Sequence, residues 1–244
     1  MLISGHKSDI GLVRQNNEDA LYINDRLGIY VLADGMGGHE GGEIASNIAV
    51  NTIAKILSSS VMELQKKNVG QIVHNALHEA NEEIILFRKN QINLMSMATT
   101  VVISIFLDDV VNCMHLGDSR AYLYKKDYNL IQLTTDDSLV MEMVKQGMMS
   151  KNELQYHTLR NIVTRYLGTV NLTIPEIQQF RVETNDCIML CSDGLTNMLN
   201  DKEIQSILRG NISMGPQDVC NLLVDSANAK GGQDNISVIV VQSK

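Results

Sequence analysis

Tryptophan is absent from this chain of 244 residues, phenylalanine occurs three times and proline only twice, at Pro175 and Pro216. No Ser/Gly/Pro-rich linker, internal repeat or low-complexity tract interrupts it, so one domain spanning residues 1–244 is the economical reading. Hydrophobic residues make up 44% and charged residues 20%, enough to build a sizeable core at this length. Cysteine is sparse. Cys113, Cys187, Cys191 and Cys220 lie in or beside apolar segments without a CxxC pair, which excludes a disulfide framework and a zinc ribbon and fits reduced core thiols in a cytosolic protein. Positive charge is not in excess: the net charge is -8 and the pI about 5.2. General nucleic-acid binding is therefore disfavoured. No apolar run reaches membrane-spanning length, and no apolar leader precedes Lys7, Ser8 and Asp9. These absences predict a soluble, cytoplasmic protein with no membrane insertion. A GxGxxG fingerprint and a Cys-x5-Arg loop are also missing, and the Gly-rich stretch Gly35 to Gly42 is followed by no Gly-Lys-Ser/Thr, so it is not a P-loop.

What the chain does contain is a set of β-rich runs and paired helices. Strands are expected at Ala20 to Asn24 and Gly28 to Ala33. In the second, Ile29, Val31 and Ala33 alternate with Tyr30 and Leu32, so both faces are apolar and the strand is central. Helical spacing follows from about Gly42 to Leu57 and from Val69 to Phe87, where Val73, Leu77, Ala80, Ile84 and Phe87 recur. Ala98 to Leu107, Val110 to Leu116 and Arg120 to Lys125 read as strands, with Asp108-Asp109 as the first hairpin turn. A polar region from Asp136 to Gly168 breaks the pattern, with helical period over Ser138 to Gln146. Strands at Thr173 to Val182 and Cys187 to Cys191, helices at Asp201 to Leu208 and Gln217 to Asn228, and a strand at Ile236 to Val241 complete the reading. Hairpin-linked strands with helices grouped in pairs predict antiparallel sheets covered by helices, an α+β fold.

Short acidic motifs punctuate these elements. They are Asn17-Glu18-Asp19, Asp34-Gly35-Met36-Gly37-Gly38-His39, Gly117-Asp118-Ser119-Arg120, Ser192-Asp193-Gly194 and Asp234-Asn235. Each sits at the edge of an apolar run. A single Asp-Gly is an ordinary turn; several acidic points beside buried strands are a stronger signal. Two like charges about 4 Å apart repel by roughly 4 kcal/mol at an effective dielectric of 20. Converging carboxylates therefore need cations, and an all-oxygen donor set suits Mg²⁺ or Mn²⁺.

The run Ser8 to Asp19 resembles the opening motif of the metal-dependent serine/threonine protein phosphatases of the PP2C (PPM) family. Asp34 to His39 is similar to the form used by its bacterial branch. Gly117 to Tyr122, Leu133-Thr134 through Val140, Cys191 to Leu195 and Gly232 to Ser237 follow in the family's order. The resemblance implies a four-layer α-β-β-α sandwich with a flap over about 136–168. It implies hydrolysis of phosphoserine and phosphothreonine in proteins, opposite a serine/threonine kinase, by a metal-activated water. It further implies two tightly bound Mn²⁺ or Mg²⁺ ions on Asp34, the Gly35 carbonyl, Asp193 and Asp234. A third, weaker ion would involve Asp118. Glu18, Asp19 and Asn235 would act through water or by holding the ligands. Arg14 would grip the phosphate, since its planar fork makes bidentate bonds to phosphoryl oxygens. Arg160 and Arg165 would contact substrate from the flap, a structural ion pair being the alternative.

Three departures stand out. Met36 occupies the position where many eukaryotic relatives carry a histidine, leaving His39 or a water as the general acid. The usual Asp-His-Ser reads Asp136-Asp137-Ser138 here, and His157-Thr158 replaces His-Pro. Elsewhere, His74, His78 and Glu82 share a helix face, a spacing that suits a metal chelate or a plain solvated surface. Met141, Met143, Met148 and Met149 suit an adaptable contact surface or core packing. Lys66-Lys67 and Lys125-Lys126 read as solvated charges. Two rival functions remain open: a catalytically silent phosphoprotein-binding module, and a hydrolase of small phosphorylated metabolites.

Overall fold

The computed structural model describes residues 1–37, 41–65, 68–89, 91, 94–125, 127, 129–150, 153 and 157–244. Lys66, Lys67 and Lys126 lie outside the described residues. The chain runs through β1 (Leu2–Asp9), β2 (Asp19–Asn24), β3 (Ile29–Met36), α1 (Gly41–Ser59), α2 (Val61–Gln65) and α3 (Val69–Lys89). Next come β4 (Ala98–Thr99), β5 (Val101–Leu107), β6 (Val110–Leu116), β7 (Arg120–Tyr124), β8 (Leu130–Gln132) and α4 (Leu139–Lys145). The last third holds β9 (Gln178–Arg181), β10 (Cys187–Cys191), α5 (Asp193–Thr196), α6 (Asp201–Asn211), α7 (Pro216–Ala229) and β11 (Ile236–Ser243).

Two antiparallel sheets result, one in the order β1-β11-β10-β7-β8 and the other β2-β3-β5-β6-β9, with β4 paired to β3. Their faces follow from the alternation of side chains along a strand. Ile29, Val31 and Ala33 of β3 pack outward with Ile53, Leu57, Val73 and Leu77 of α1 and α3. Tyr30 and Leu32 turn inward, where they meet Ile188, Leu190, Ile239 and Val241 from the opposite sheet. On that sheet, Met189, Val238 and Val240 pack with Leu208, Val219 and Leu223 of α6 and α7. Three apolar layers between four structural ones give the α-β-β-α sandwich. Each fully buried Leu, Ile or Val contributes about 1.5–3 kcal/mol.

Several elements differ from the sequence reading. The residues of β1 are half polar, yet they pair along their whole length with β11. The expected strand over Ala98 to Leu107 breaks at Thr100. There the Thr100 amide donates to Asp34 O at 2.9 Å. The stretch from Thr173 is irregular until Gln178, and the short β8 and α2 carry too little periodicity to be seen beforehand. Asp108 adopts a φ of 55°, the left-handed geometry of the expected hairpin turn.

This topology gathers the acidic motifs at one end. Asp19 and Asp34 are direct partners across β2 and β3. Cys191 pairs with both Arg120 and Val238, so the segments just beyond β6, β10 and the start of β11 lie side by side. Those segments carry Asp118, Asp193 and Asp234.

Candidate metal centre

A cavity of about 230 Å³ opens at this end, lined by Arg14, Glu18, Asp34, Gly35, Met36, Gly37, Thr100, Asp118, Asn161, Val163, Asp193, Asp234 and Asn235. Among the described residues no Ser, Cys, His, Lys or Tyr side chain lines it, and its one hydroxyl, that of Thr100, is already bonded to the Asp34 amide and to Ser119. A neighbouring cavity of about 390 Å³ shares Asp118, Asn161 and Asp193 with it and extends past Arg160, Met141 and Asn200. The two together form a cleft longer than a phosphate group.

Each carboxylate has a defined seat. The Asp34 amide donates to Thr100 Oγ1 at 3.1 Å, and Thr99 Oγ1 donates to Asp34 O at 2.8 Å. Asp193 opens the short α5 and accepts from Asn197 Nδ2 at 3.0 Å. Glu18 accepts from Asn16 Nδ2 at 3.2 Å. Asp19 Oδ2 accepts from Ser192 Oγ at 2.9 Å, while Asp19 Oδ1 is buried without a hydrogen-bond partner. Asn235 is a clasp: its Oδ1 accepts from Glu18 N at 2.8 Å, and its Nδ2 donates to Ile10 O at 3.0 Å and Asn16 O at 2.9 Å. That clasp holds the loop carrying Arg14 against the end of β11. Arg14 Nη2 itself donates to Asp234 Oδ2 at 2.7 Å.

The electrostatics are those of a crowded acidic site. The carboxylates that line the cavity are half-buried, and Asp19 lies behind them. Burial pushes Asp19 up to about 7 and Asp118 up to about 8, with Asp193 adding to both. Asp34 is held well above its ordinary value, by burial first and then by Asp19, Asp193, Asp118 and Asp234. Asp193 and Glu18 are raised as well, burial being the largest cause for each. One guanidinium, Arg14, faces several carboxylates.

These residues fit divalent cations. Mutual repulsion among hard oxygen donors is relieved by a positive ion, and the orphaned Asp19 Oδ1 is a buried acceptor lacking a donor. Gly35 is the only residue type its place admits, since a Cβ there would lie 2.1 Å from Gly42 O. Among the described residues no three acidic or histidine side chains already form a closed ligating set. Asp234 is instead engaged by Arg14.

Of the expected site residues, Arg14, Glu18, Asp34, Gly35, Asp118, Asp193, Asp234 and Asn235 line one cavity, and Asp19 sits behind it. His39 lies outside the described residues. Arg160 lines the neighbouring cavity, whereas Arg165 makes an ion pair with Asp137. Sequence reasoning passed over Thr100 and Asn197. Asn197 was detectable as the residue four places after Asp193, the next position on the same helix face; Thr100 had only a polar break in an apolar run. The His74 and His78 rings stand 6.5 Å apart on α3 and gain no third ligand among the described residues. No described helix is long and apolar enough to cross a membrane.

The sequence profile described as "Protein phosphatase 2C" matches residues 13–219. The serine/threonine phosphatase stp of Listeria innocua is 35% identical over 241 residues, covering 97% of this chain and 94% of that protein. Protein phosphatase PhpP of Streptococcus pneumoniae is 34% identical over 239 residues, covering 96% and 94%. The Mycobacterium tuberculosis serine/threonine phosphatase PstP/Ppp superposes with a TM-score of 0.91 at 30% identity, covering 100% of this chain and 99% of that one. A PstP catalytic domain in complex with two manganese ions superposes at 0.86 with 29% identity, covering 99% and 97%.

Proposed function

This chain belongs to the protein phosphatase 2C family, and from that premise we propose that it removes phosphate from phosphoserine and phosphothreonine in proteins by attack of water at its acidic cavity. The observation that carries the reading is the cavity itself: four carboxylates, Asp34, Asp118, Asp193 and Asp234, converge on one space that Arg14 also lines.

Asp34, the Gly35 carbonyl, Asp193 and Asp234 would hold two Mn²⁺ or Mg²⁺ ions, with Asp118 and Asp193 sharing a third, more weakly held one. When bound, such ions lower the proton affinity of water and neutralise charge developing on phosphoryl oxygens. The protein's own groups do the rest. Arg14 has one N–H committed to Asp234 and further donors to offer the phosphate, which orients phosphorus toward the acidic wall. Asn235 holds the Arg14 loop in place from β11. Glu18 and Asp19 present acceptor oxygens that orient water. The leaving alkoxide takes its proton from His39 or from water. Arg160 faces the substrate from the flap, while Arg165 serves Asp137.

The joined cavities support polypeptide substrates over small metabolites, because the cleft continues well beyond a phosphate-sized volume. No acidic ligand expected of the family is missing, which supports catalysis over silent binding. We place the protein in the cytoplasm, opposite a serine/threonine kinase, as one domain over 1–244 with a flap over about 136–168. Phosphate release from a phosphothreonine peptide tests the core of this reading. Turnover should appear with Mn²⁺, vanish with chelator and return on adding the ion. Peptide binding with no release under any metal would overturn it.

A further inference from the structure

Both ends of the flap meet at one buried carboxylate. Asp137 is 3% exposed. Its Oδ1 accepts from Arg165 Nη2, and its Oδ2 accepts from the Gly117 amide at 3.2 Å. The Asp137 amide donates to Gly117 O at 2.9 Å, and the Asp137 carbonyl accepts from Thr164 N at 2.8 Å. Beside it, Ser138 bridges Val163 and Leu139 N donates to Ile162 O at 2.8 Å. Flap entry, flap exit and the turn before Asp118 therefore share one anchor.

That turn has little freedom to shift. Gly117 has a φ of +109°, and a Cβ there would sit 2.6 Å from Thr100 Cγ2. Thr100 in turn holds the Asp34 amide through its hydroxyl, and that same hydroxyl lies 2.7 Å from Ser119 Oγ. A displacement at Asp137 is thus passed to Asp118 by main-chain contacts on one side and to the flap on the other. The residue type matters. The histidine that the family pattern places at 137 has one acceptor nitrogen when neutral, so it cannot take both the Arg165 and the Gly117 N–H groups.

We propose that Asp137 and Arg165 form a positioning pair that fixes the flap relative to Asp118, and that turnover of phosphopeptides depends on it while turnover of a small aryl phosphate does not. A peptide spans the cleft and touches the flap, and its alkoxide leaving group needs a correctly placed proton donor. An aryl phosphate occupies only the acidic cavity, and its phenolate departs without that help. The proposal rests on the phosphatase reading above.

The test compares wild type, Asp137→Asn, Arg165→Gln and the double variant. Asp137→Asn should lower kcat on a phosphothreonine peptide at least tenfold, with p-nitrophenyl phosphate turnover within about twofold of wild type. The double variant should be no worse on the peptide than the weaker single variant, because one linkage is cut only once. Arg165→Lys should recover part of the peptide rate. In metal-free protein, amide exchange at Asp137, Leu139 and Thr164 should quicken at least tenfold in Asp137→Asn. If the two substrates fall together, the pair is a structural ion pair, and if the single losses multiply in the double variant, the two residues act independently; either result overturns the proposal. If Asp137→Asn does not fold, Arg165→Gln decides alone, since Arg165 is a third exposed and its peptide rate must still drop. A wild-type protein that releases no phosphate from either substrate would sink the phosphatase reading instead, a result distinct from all of these.

Discussion

Two acidic regions meet through the Gly117 amide and are built in opposite ways. Asp136 and Asp137 each have an arginine of their own, Arg120 for the first and Arg165 for the second. Asp19, Asp34, Asp118 and Asp193 have no such partners among the described ion pairs, and all four are pushed up by burial first and then by neighbouring carboxylates, Asp234 in the case of Asp193. Matched carboxylates hold a protein together. Unmatched ones store repulsion that a proton or an incoming cation relieves. The contrast separates structure from chemistry more sharply than acidity does.

The most severe way to break the contrast is Asp34→Asn, which removes the carboxylate that feels all the others. Phosphopeptide turnover at saturating Mn²⁺ should fall at least about a thousandfold, or about 4 kcal/mol of transition-state stabilisation, while circular dichroism stays native. Wild-type turnover in this variant would refute its role. On the matched side, Arg120→Met leaves Asp136 without a charge partner and should cost about 3 kcal/mol of stability, read from the urea midpoint. A change under about 1 kcal/mol would mean that Asp136 is solvated rather than paired.

The pH response should sharpen the same comparison. Asp19 and Asp118 lie at about 7 and about 8 in the folded, metal-free chain, above the ordinary carboxylate value. Between about pH 4 and pH 8 the folded state keeps protons that the unfolded chain has released, so these groups lose stability as pH rises through that window. The unfolding midpoint in chelator should therefore drop from pH 5 to pH 8, and Mn²⁺ should remove most of the slope. A midpoint that is independent of pH without metal would show that the carboxylates are already compensated. The smallest effect belongs to Arg14→Ala. Its KM for phosphopeptide should rise about tenfold, worth about 1.4 kcal/mol, with kcat less changed. An unchanged KM at fixed metal would move phosphate recognition to another residue.

Much of this was legible in the sequence, for physical reasons that differ by element. The doubly apolar β3 announced a central strand, and α1 and α3 announced themselves through an apolar stripe at helical spacing. The acidic site was legible because its motifs stand where apolar runs stop. Strand β1 was not, because Leu2–Asp9 is half polar and takes its place from β11, more than two hundred residues away. Nor could spacing reveal that Arg165 meets Asp137 or that Arg14 meets Asp234. Those pairs depend on how the segment after α4 and the loop before β2 fold back, which leaves no periodic trace.

One feature of the topology bears on how the protein is made. Strand β11 lies between β1 and β10, so the last strand of the chain fills an interior place in its sheet. A nascent chain emerging from the ribosome presents β1, β7 and β10 before β11 and cannot join β1 to β10 until β11 arrives. Asp234 and the Asn235 clasp come with it. Such distant pairing makes assembly slow and leaves apolar edges waiting. It also means that a partly synthesised chain carries Asp34 without the partners that complete its site. Under the proposed site assignment, catalytic competence waits for β11 to take its place.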